Sequence, residues 1–283
     1  MRATIFAEEN RRWWTLGALC FALFMIMLDN TVVNVALPAI KKDLGVTQAE
    51  LEWTVAAYAL TFASLLLTGG KLGDLYGRRL IFAIGLVVFT LSSLACGLSG
   101  SATELIGARA VQGVGAALMM PSTLSIISAT FAVKERGTAI GIWAGVSAMA
   151  LAIGPLLGGI ITEHISWNWI FFVNVPIGIV AVLAAIFVVP ESKDTSREQR
   201  LDLAGLVTSA VALFSFVLSW GELSRTNFVS QGQGTLPVYL FARLQSFAPT
   251  PEFYSIGTVI TGVAAIALVI AGLLLTRGQR RLI

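Results

Sequence analysis

WWTLGALCFALFMIMLDNTVVNVAL, residues 13–37, is long enough to cross a bilayer and carries one full charge, Asp29. About 20 apolar residues span the hydrocarbon core as a helix. The stretch therefore predicts a transmembrane helix. A carboxylate at that depth costs roughly 2.5 to 3.5 kcal/mol on insertion scales, which makes it a functional-site candidate by default. Polar side chains continue on neighbouring faces of the same helix, Asn30 and Asn34 being four residues apart. That spacing suits a wetted cavity better than a lipid face.

The rest of the chain agrees with this opening segment. It is 56% hydrophobic and 12% charged, with 27 glycines in 283 residues, against about 25% charged residues in an average soluble domain. The composition is that of an all-α integral membrane protein. Eight candidate spans follow from apolar windows: 13–37, 53–69, 80–98, 104–127, 138–161, 170–189, 203–221 and 255–276. They group into a six-helix bundle over 1–190, an inner linker over 191–202, and two further spans within 203–283 separated by a long outer segment, 222–254. Arg11 and Arg12 precede the first run as in a secretory signal, but the run outlasts the roughly 7 to 15 apolar residues of a cleavable one.

Charge sets the orientation. With the N-terminus inside, Arg2, Arg11, Arg12, Lys71, Arg78, Arg79, Lys134, Arg136, Lys193, Arg197, Arg200, Arg277, Arg280 and Arg281 all face inward. Only Lys41, Lys42, Arg225 and Arg243 fall outside, and Arg109 lies within a span. The excess of inner Lys and Arg predicts that both termini are cytoplasmic. Trp13, Trp14, Trp53, Trp167, Trp169 and Trp220 fall near span ends and read as interface anchors. The net charge is only +3 and the basic residues sit in short clusters, so the basic pI gives no nucleic-acid signal. Cys20 and Cys96 lie inside spans, His164 falls in a short outer loop, and no CxxC or Cys/His cluster supports a metal. Neither a nucleophile–base–oxyanion set nor a nucleotide loop appears. The sequence reads as a non-enzyme without a cofactor.

Four constellations carry the functional reading. Between spans two and three lies Gly70-Lys71-Leu72-Gly73-Asp74-Leu75-Tyr76-Gly77-Arg78-Arg79, a loop in which glycines allow tight turns and Asp74 can form an ion-paired latch with the arginines. Span four holds Arg109 and, one turn along, Gln112. Arg109 lies about 8 Å below the outer boundary and Asp29 about 13 Å inside Pro38 at 1.5 Å per residue. Being deep charges of opposite sign, they are expected to share one polar pocket, with Gln112 satisfying the pair. A static structural ion pair is the alternative reading. Span five carries Gly141, Gly145, Gly154, Pro155, Gly158 and Gly159, a pattern that permits close helix contact and a bend. The sixth span opens with Trp167-Asn168-Trp169-Ile170-Phe171-Phe172-Val173-Asn174-Val175-Pro176-Ile177-Gly178.

In that order the motifs resemble the major facilitator superfamily. Gly70 to Arg79 looks like its signature loop, Gly154 to Gly159 resembles its antiporter segment, and Leu28 to Pro38 together with Trp167 to Gly178 is similar to the fourteen-helix drug:proton antiporter branch. The resemblance covers residues 13–222. It implies a multidrug efflux transporter in the cell membrane that exports lipophilic or cationic compounds against protons by alternating access. Asp29, Arg109 and Gln112 would couple the proton. Phe24, Met25, Asn30 and Asn34 would line the substrate cavity. Gly70, Gly73, Asp74, Gly77, Arg78 and Arg79 would form the cytoplasmic gate loop, and Gly145, Gly154, Pro155, Gly158 and Gly159 the antiporter helix. The driving force is a proton gradient, and the partners are small lipophilic substrates and membrane lipid.

A complete member has two six-helix halves with the path between them, and this chain reads as one half plus extra helices. The reading is a truncated or partial antiporter, in want of a C-terminal half or a second copy. A half-size transporter that pairs with another chain and a non-transporting membrane scaffold or regulatory subunit are the alternatives.

Overall fold

The computed structural model describes residues 8–193 and 205–212. Helices α1 (Glu8–Leu44), α2 (Gln48–Tyr76), α3 (Arg78–Leu98), α4 (Ala102–Thr130) and α5 (Val133–His164) are each long and apolar enough to cross a membrane. A sixth such stretch, Trp169–Phe187, is divided into a single turn, α6 (Trp169–Phe172), and α7 (Asn174–Phe187). Residues 205–212 are also helical. The first six expected spans therefore each correspond to one helical stretch of an all-α bundle. The eighth span, segment 222–254, and most of the seventh span and of the linker lie outside the described residues.

The helices outrun the apolar windows. A helix ends where its backbone finds other partners, not where the hydrocarbon ends. The first continues through Pro38 to Leu44. Pro38 is exposed, so the carbonyl that loses an N–H partner to it is not sealed in the core. Gly45, with φ +63°, then takes the left-handed conformation that lets the chain leave the helix. The second begins at a capping box: Thr47 Oγ1 accepts from Glu50 N, while Glu50 Oε2 accepts from Thr47 N at 2.7 Å. Ser101 caps α4 in the same way, accepting from Glu104 N. His164, expected in a loop, is the last residue of α5 and is exposed.

Packing divides the bundle into closely joined sets. The α2 and α3 helices grip α4 from two sides, and α1 lies along α5. The final helix, α7, touches both α3 and α1. Two features of α4 make the grip possible. A Cβ on Gly113 would collide with Thr61 and with the Tyr58 carbonyl of α2, and one on Gly115 would lie 2.6 Å from Phe89 N of α3. Without a hydrophobic drive between helices in lipid, such backbone approach supplies the van der Waals contact that holds them.

Apolar side chains fill two clusters at different depths. One gathers Leu19, Met25, Ile26, Phe82, Leu86, Phe89 and Met119, and the other Leu28, Val32, Val33, Cys96, Leu105 and Phe171. Asp29 belongs to neither, yet it is fully buried. A polar layer separates the two clusters.

At the arginine-rich end, the expected loop between spans two and three proves to be mostly helix. Gly70 to Tyr76 form the last turns of α2, and Gly77 alone separates α2 from α3. Its φ of +124° is open to glycine and strained for other residues. Asp74 and Arg78 pair one turn apart at 2.8 Å, and Arg78 also reaches the Ser125 carbonyl. Glu191 closes the turn from outside: its Oε1 accepts from Arg79 N at 3.1 Å, and Ser192 O accepts from Arg78 N at 3.0 Å. Those two residues, expected at the start of a linker, are tied back onto the bundle. A Cβ at position 77 would come within 2.8 Å of the Glu191 carboxylate. Gly77→Ala is accordingly expected to cost about 1–3 kcal/mol, seen as a lower unfolding midpoint in detergent, with Gly70→Ala, whose added Cβ meets Pro121 at an ordinary 3.4 Å, well below it; equal effects would refute this account of the turn.

Candidate functional site

The polar layer is built from five helices. The first brings Asp29 to the bundle interior one turn past Ile26. Clamped between its neighbours, α4 presents Arg109 and Gln112 from successive turns of one face. The third helix contributes Ser93 and Cys96, α2 contributes Tyr58 and the Thr54 carbonyl, and the first residue of α7 is Asn174. Asn174 follows Val173, whose backbone stays right-handed helical at φ −56° and ψ −33°, and Pro176, which lacks an N–H, interrupts the hydrogen-bond ladder there without turning the chain.

The geometry joins these groups into one network. Arg109 Nη1 donates to Asp29 Oδ2 at 2.5 Å and to Gln112 Oε1 at 2.7 Å. Its Nε donates to the Thr54 carbonyl at 3.3 Å. Gln112 Nε2 donates to Asp29 Oδ1 at 2.9 Å and to Ser93 Oγ at 2.6 Å. Asn174 Nδ2 lies 3.3 Å from the same Asp29 oxygen and 3.5 Å from Ser93 Oγ. The guanidinium also stacks over Tyr58, its carbon 4.3 Å from the ring centre, a cation–π contact that gains weight when desolvated. Both Asp29 and Arg109 are sealed, at 0% and 1% exposure.

Electrostatically this is a neutral pair held by neutral donors. An isolated ion in such surroundings pays several kcal/mol, which the partner's charge repays only when the remaining lone pairs and N–H groups are bonded. Gln112 meets that condition by accepting from Arg109 and donating to Asp29. Each carboxylate oxygen thus receives at least one donor.

The structure brings Asp29, Arg109 and Gln112 together as expected from their depth. Among the residues expected to line a cavity, Asn34 is exposed and Asn30 and Phe24 are partly buried. Both asparagines donate to carbonyls one turn back, at 3.0 and 3.2 Å. Met25 differs: it is fully buried in the apolar cluster below the layer, so it faces the core and not an open cavity. The helix period places position 25 one turn before Asp29 on the same buried face and opposite the exposed Asn34.

In the antiporter segment, Gly154 and Gly158 pack against Thr31 and Val32 of α1, in the turn that follows Asp29. Gly145 and Gly159, like Gly141, have nothing within 4 Å of an added Cβ. Pro155 is exposed, and α5 runs through it unbroken. Trp167, expected as an interface anchor, is instead buried and donates Nε1 to Asp43 at 2.8 Å. An aromatic near a span end is amphipathic either way, and its direction depends on a neighbouring helix. Ser93, Asn174 and Glu191 are the functional candidates that sequence reading missed. The signal available for Asn174 was an uncharged amide beside a proline in an otherwise apolar span.

Removing one partner of the pair leaves the other charge buried and is expected to cost about 3–5 kcal/mol. Arg109→Leu alone should therefore lower stability in detergent much more than the double variant Asp29→Leu/Arg109→Leu; additive losses across this cycle would show that the two residues are not coupled.

The sequence profile of the Major Facilitator Superfamily matches residues 19–283. The chain is 40% identical over 215 residues to the puromycin resistance protein of Streptomyces alboniger, covering 76% of this chain and 42% of that protein. It is 36% identical over 230 residues to the tetracenomycin C resistance and export protein of Streptomyces glaucescens, covering 78% and 43%. Among solved structures, a crystal structure of a peptide transporter in complex with sulfate aligns with a TM-score of 0.58 at 15% identity, over 81% of this chain and 49% of that one. The chain spans less than half the length of each.

Proposed function

The chain belongs to the Major Facilitator Superfamily, and from that membership we propose that it forms part of an exporter of lipophilic or cationic small molecules, driven by protons that bind at Asp29. It is a transporter-family protein of the cell membrane, not an enzyme. The observation that carries the proposal is the sealed carboxylate of Asp29, held between two apolar clusters by Arg109, Gln112 and Asn174. Intramembrane ionisable groups mark ion and proton pathways far more often than they mark inert structure. The similarity to proteins named for resistance to puromycin and to export of tetracenomycin C supports drug-like cargo.

The coupling rests on a choice of partner. Asp29 can be satisfied by Arg109 or by a proton, and these are alternatives because both act on the same carboxylate. A shift of α1 against α4 changes which one is available. Phe24, Asn30 and Asn34 on the accessible side of α1 would meet the cargo, and the wall opposite would come from a C-terminal half or a second copy. The positive-inside asymmetry puts both termini in the cytoplasm, so the Gly77 turn with Asp74, Arg78, Arg79 and Glu191 is the cytoplasmic latch.

A test uses the chain reconstituted in liposomes with a lipophilic cationic dye and an imposed pH gradient. Gradient-driven dye movement is expected, and Asp29→Asn should abolish it while leaving membrane insertion intact. Undiminished gradient-driven movement in that variant would sink the proton role of Asp29. No gradient-driven movement in the unsubstituted chain would favour the scaffold reading, unless addition of a complementary half restores it.

A further inference from the structure

Two buried polar atoms in the network are left without a partner, the Tyr58 hydroxyl and the Asn174 carboxamide oxygen. Asn174 is 1% exposed, and its carboxamide oxygen has no hydrogen-bond donor. Burying an acceptor without a donor is unfavourable, so its retention beside Asp29 calls for an explanation. The other end of the same amide faces two oxygens. Nδ2 lies 3.3 Å from Asp29 Oδ1 and 3.5 Å from Ser93 Oγ. This is a donor's position only while both oxygens accept.

We propose that Asn174 reads the protonation state of Asp29, donating to the carboxylate through Nδ2 and, after half a turn of its carboxamide, accepting from the protonated acid through Oδ1. The proposal rests on the reading of Asp29 as a proton-binding group. An ionised carboxylate is an acceptor only, whereas a protonated one also has an O–H to donate. The half turn exchanges Nδ2 for Oδ1 at the point between Asp29 and Ser93. There the carboxamide oxygen gains the Asp29 O–H, with the proton remaining on Asp29 Oδ1, and the Ser93 hydroxyl can supply a second donor. The acceptor that is orphaned beside the ionised pair becomes satisfied when the proton arrives, and Nδ2 turns to the side that the oxygen has left. A carboxamide is suited to this because it carries a donor and an acceptor at interchangeable positions.

The surroundings restrict which group can respond. Among the described residues, the titratable or charged groups facing Asp29 are Arg109 from α4, Tyr58 from α2 and Cys96 from α3. The fifth helix has no charged residue between Arg136 and Glu163, and α7 offers the neutral Asn174. Gln112 already spends its oxygen on Arg109 and its nitrogen on Asp29 and Ser93. Asn174 has an unused acceptor. Its place is also mechanically informative: it is the first residue of α7, and α7 packs on both α1 and α3. A change at this amide is delivered to the start of the helix that joins the two parts of the bundle. Asn174 is therefore a positioning residue for the proton site.

The experiment is an infrared pH titration of the full chain in lipid nanodiscs. The carbonyl stretch of protonated Asp29 is identified by its loss in Asp29→Asn. In Asn174→Leu that band is expected to shift to higher wavenumber, because the acid has lost its acceptor. In the unsubstituted chain labelled with 15N-asparagine, the Asn174 side-chain resonance, assigned by its loss in Asn174→Leu, should move with the same midpoint as the band. A band of unchanged wavenumber in a folded Asn174→Leu chain would overturn the proposal, and so would a stationary Asn174 resonance. If Asn174→Leu does not fold, labelling a less drastic variant, Asn174→Ser, assigns the resonance and the unsubstituted chain decides. Absence of any Asp29-dependent band has a different meaning: it overturns proton binding at Asp29 and the present inference with it.

Discussion

The ion pair between Asp29 and Arg109 is the constraint around which this bundle is arranged. Two full charges in an apolar interior are tolerable only if they meet and if every other donor and acceptor on them is used. The Asp29 side chain must therefore reach across from α1 to α4, although the backbones of these helices meet only over a short stretch. Gln112 then has to stand one turn from Arg109, with its oxygen toward the guanidinium and its nitrogen toward the carboxylate. Ser93 takes the second amide hydrogen, the Thr54 carbonyl takes Arg109 Nε, and the Tyr58 ring covers the guanidinium face. One pair fixes the rotation of α1, α2, α3 and α4 about their own axes.

Fixing rotation is not enough without fixing distance. The small residues of α4 do this on its two flanks, because Gly113 and Gly115 let α2 and α3 approach to backbone contact. Arg109 is consequently held by a rigid support, as a guanidinium in a low-dielectric site must be if its hydrogen bonds are to keep their geometry. The α1 side is supported differently. Gly154 and Gly158 of α5 receive Thr31 and Val32, in the turn that follows Asp29. An ion pair between Arg12 and Glu135 at 2.5 Å adds a second tie between α1 and α5 at the arginine-rich end.

Most of this fold was legible because its main determinants are local. Six apolar runs of bilayer length correspond to six helical stretches, and the depth of Asp29 and Arg109 along their helices was enough to pair them. What escaped reading depends on neighbours that a single helix does not reveal. Hydroxyls and amides such as Ser93 and Asn174 are mild perturbations of an apolar run, and only the position of Asp29 across the bundle gives them a role. Met25 and Trp167 were misplaced because proximity to a polar residue or to a span end does not determine which side of the helix is covered. The tight turn was expected between spans two and three, but apolar windows end before the helices do and so did not narrow it to Gly77. Here the glycines and charges serve a helix continued to its last residue, and the Glu191 carboxylate that closes it comes from more than a hundred residues away.

The same packing suggests where the bundle yields. Backbone contact binds α2, α3 and α4 into one unit and α1 and α5 into another, whereas α1 meets α4 through side chains, apolar in the two clusters and polar in the layer between them. A polar joint is strong while every group is paired and weak once one is not, so its strength depends on the charge state of Asp29 more than any apolar contact could. The α7 helix crosses the joint, touching α3 through Gly178 against Thr90 and reaching Asp29 through Asn174. On the proton-coupled reading, protonation need not push any helix. It needs only to remove the Asp29–Arg109 tie between the two units, leaving the apolar contacts of the two clusters to hold them.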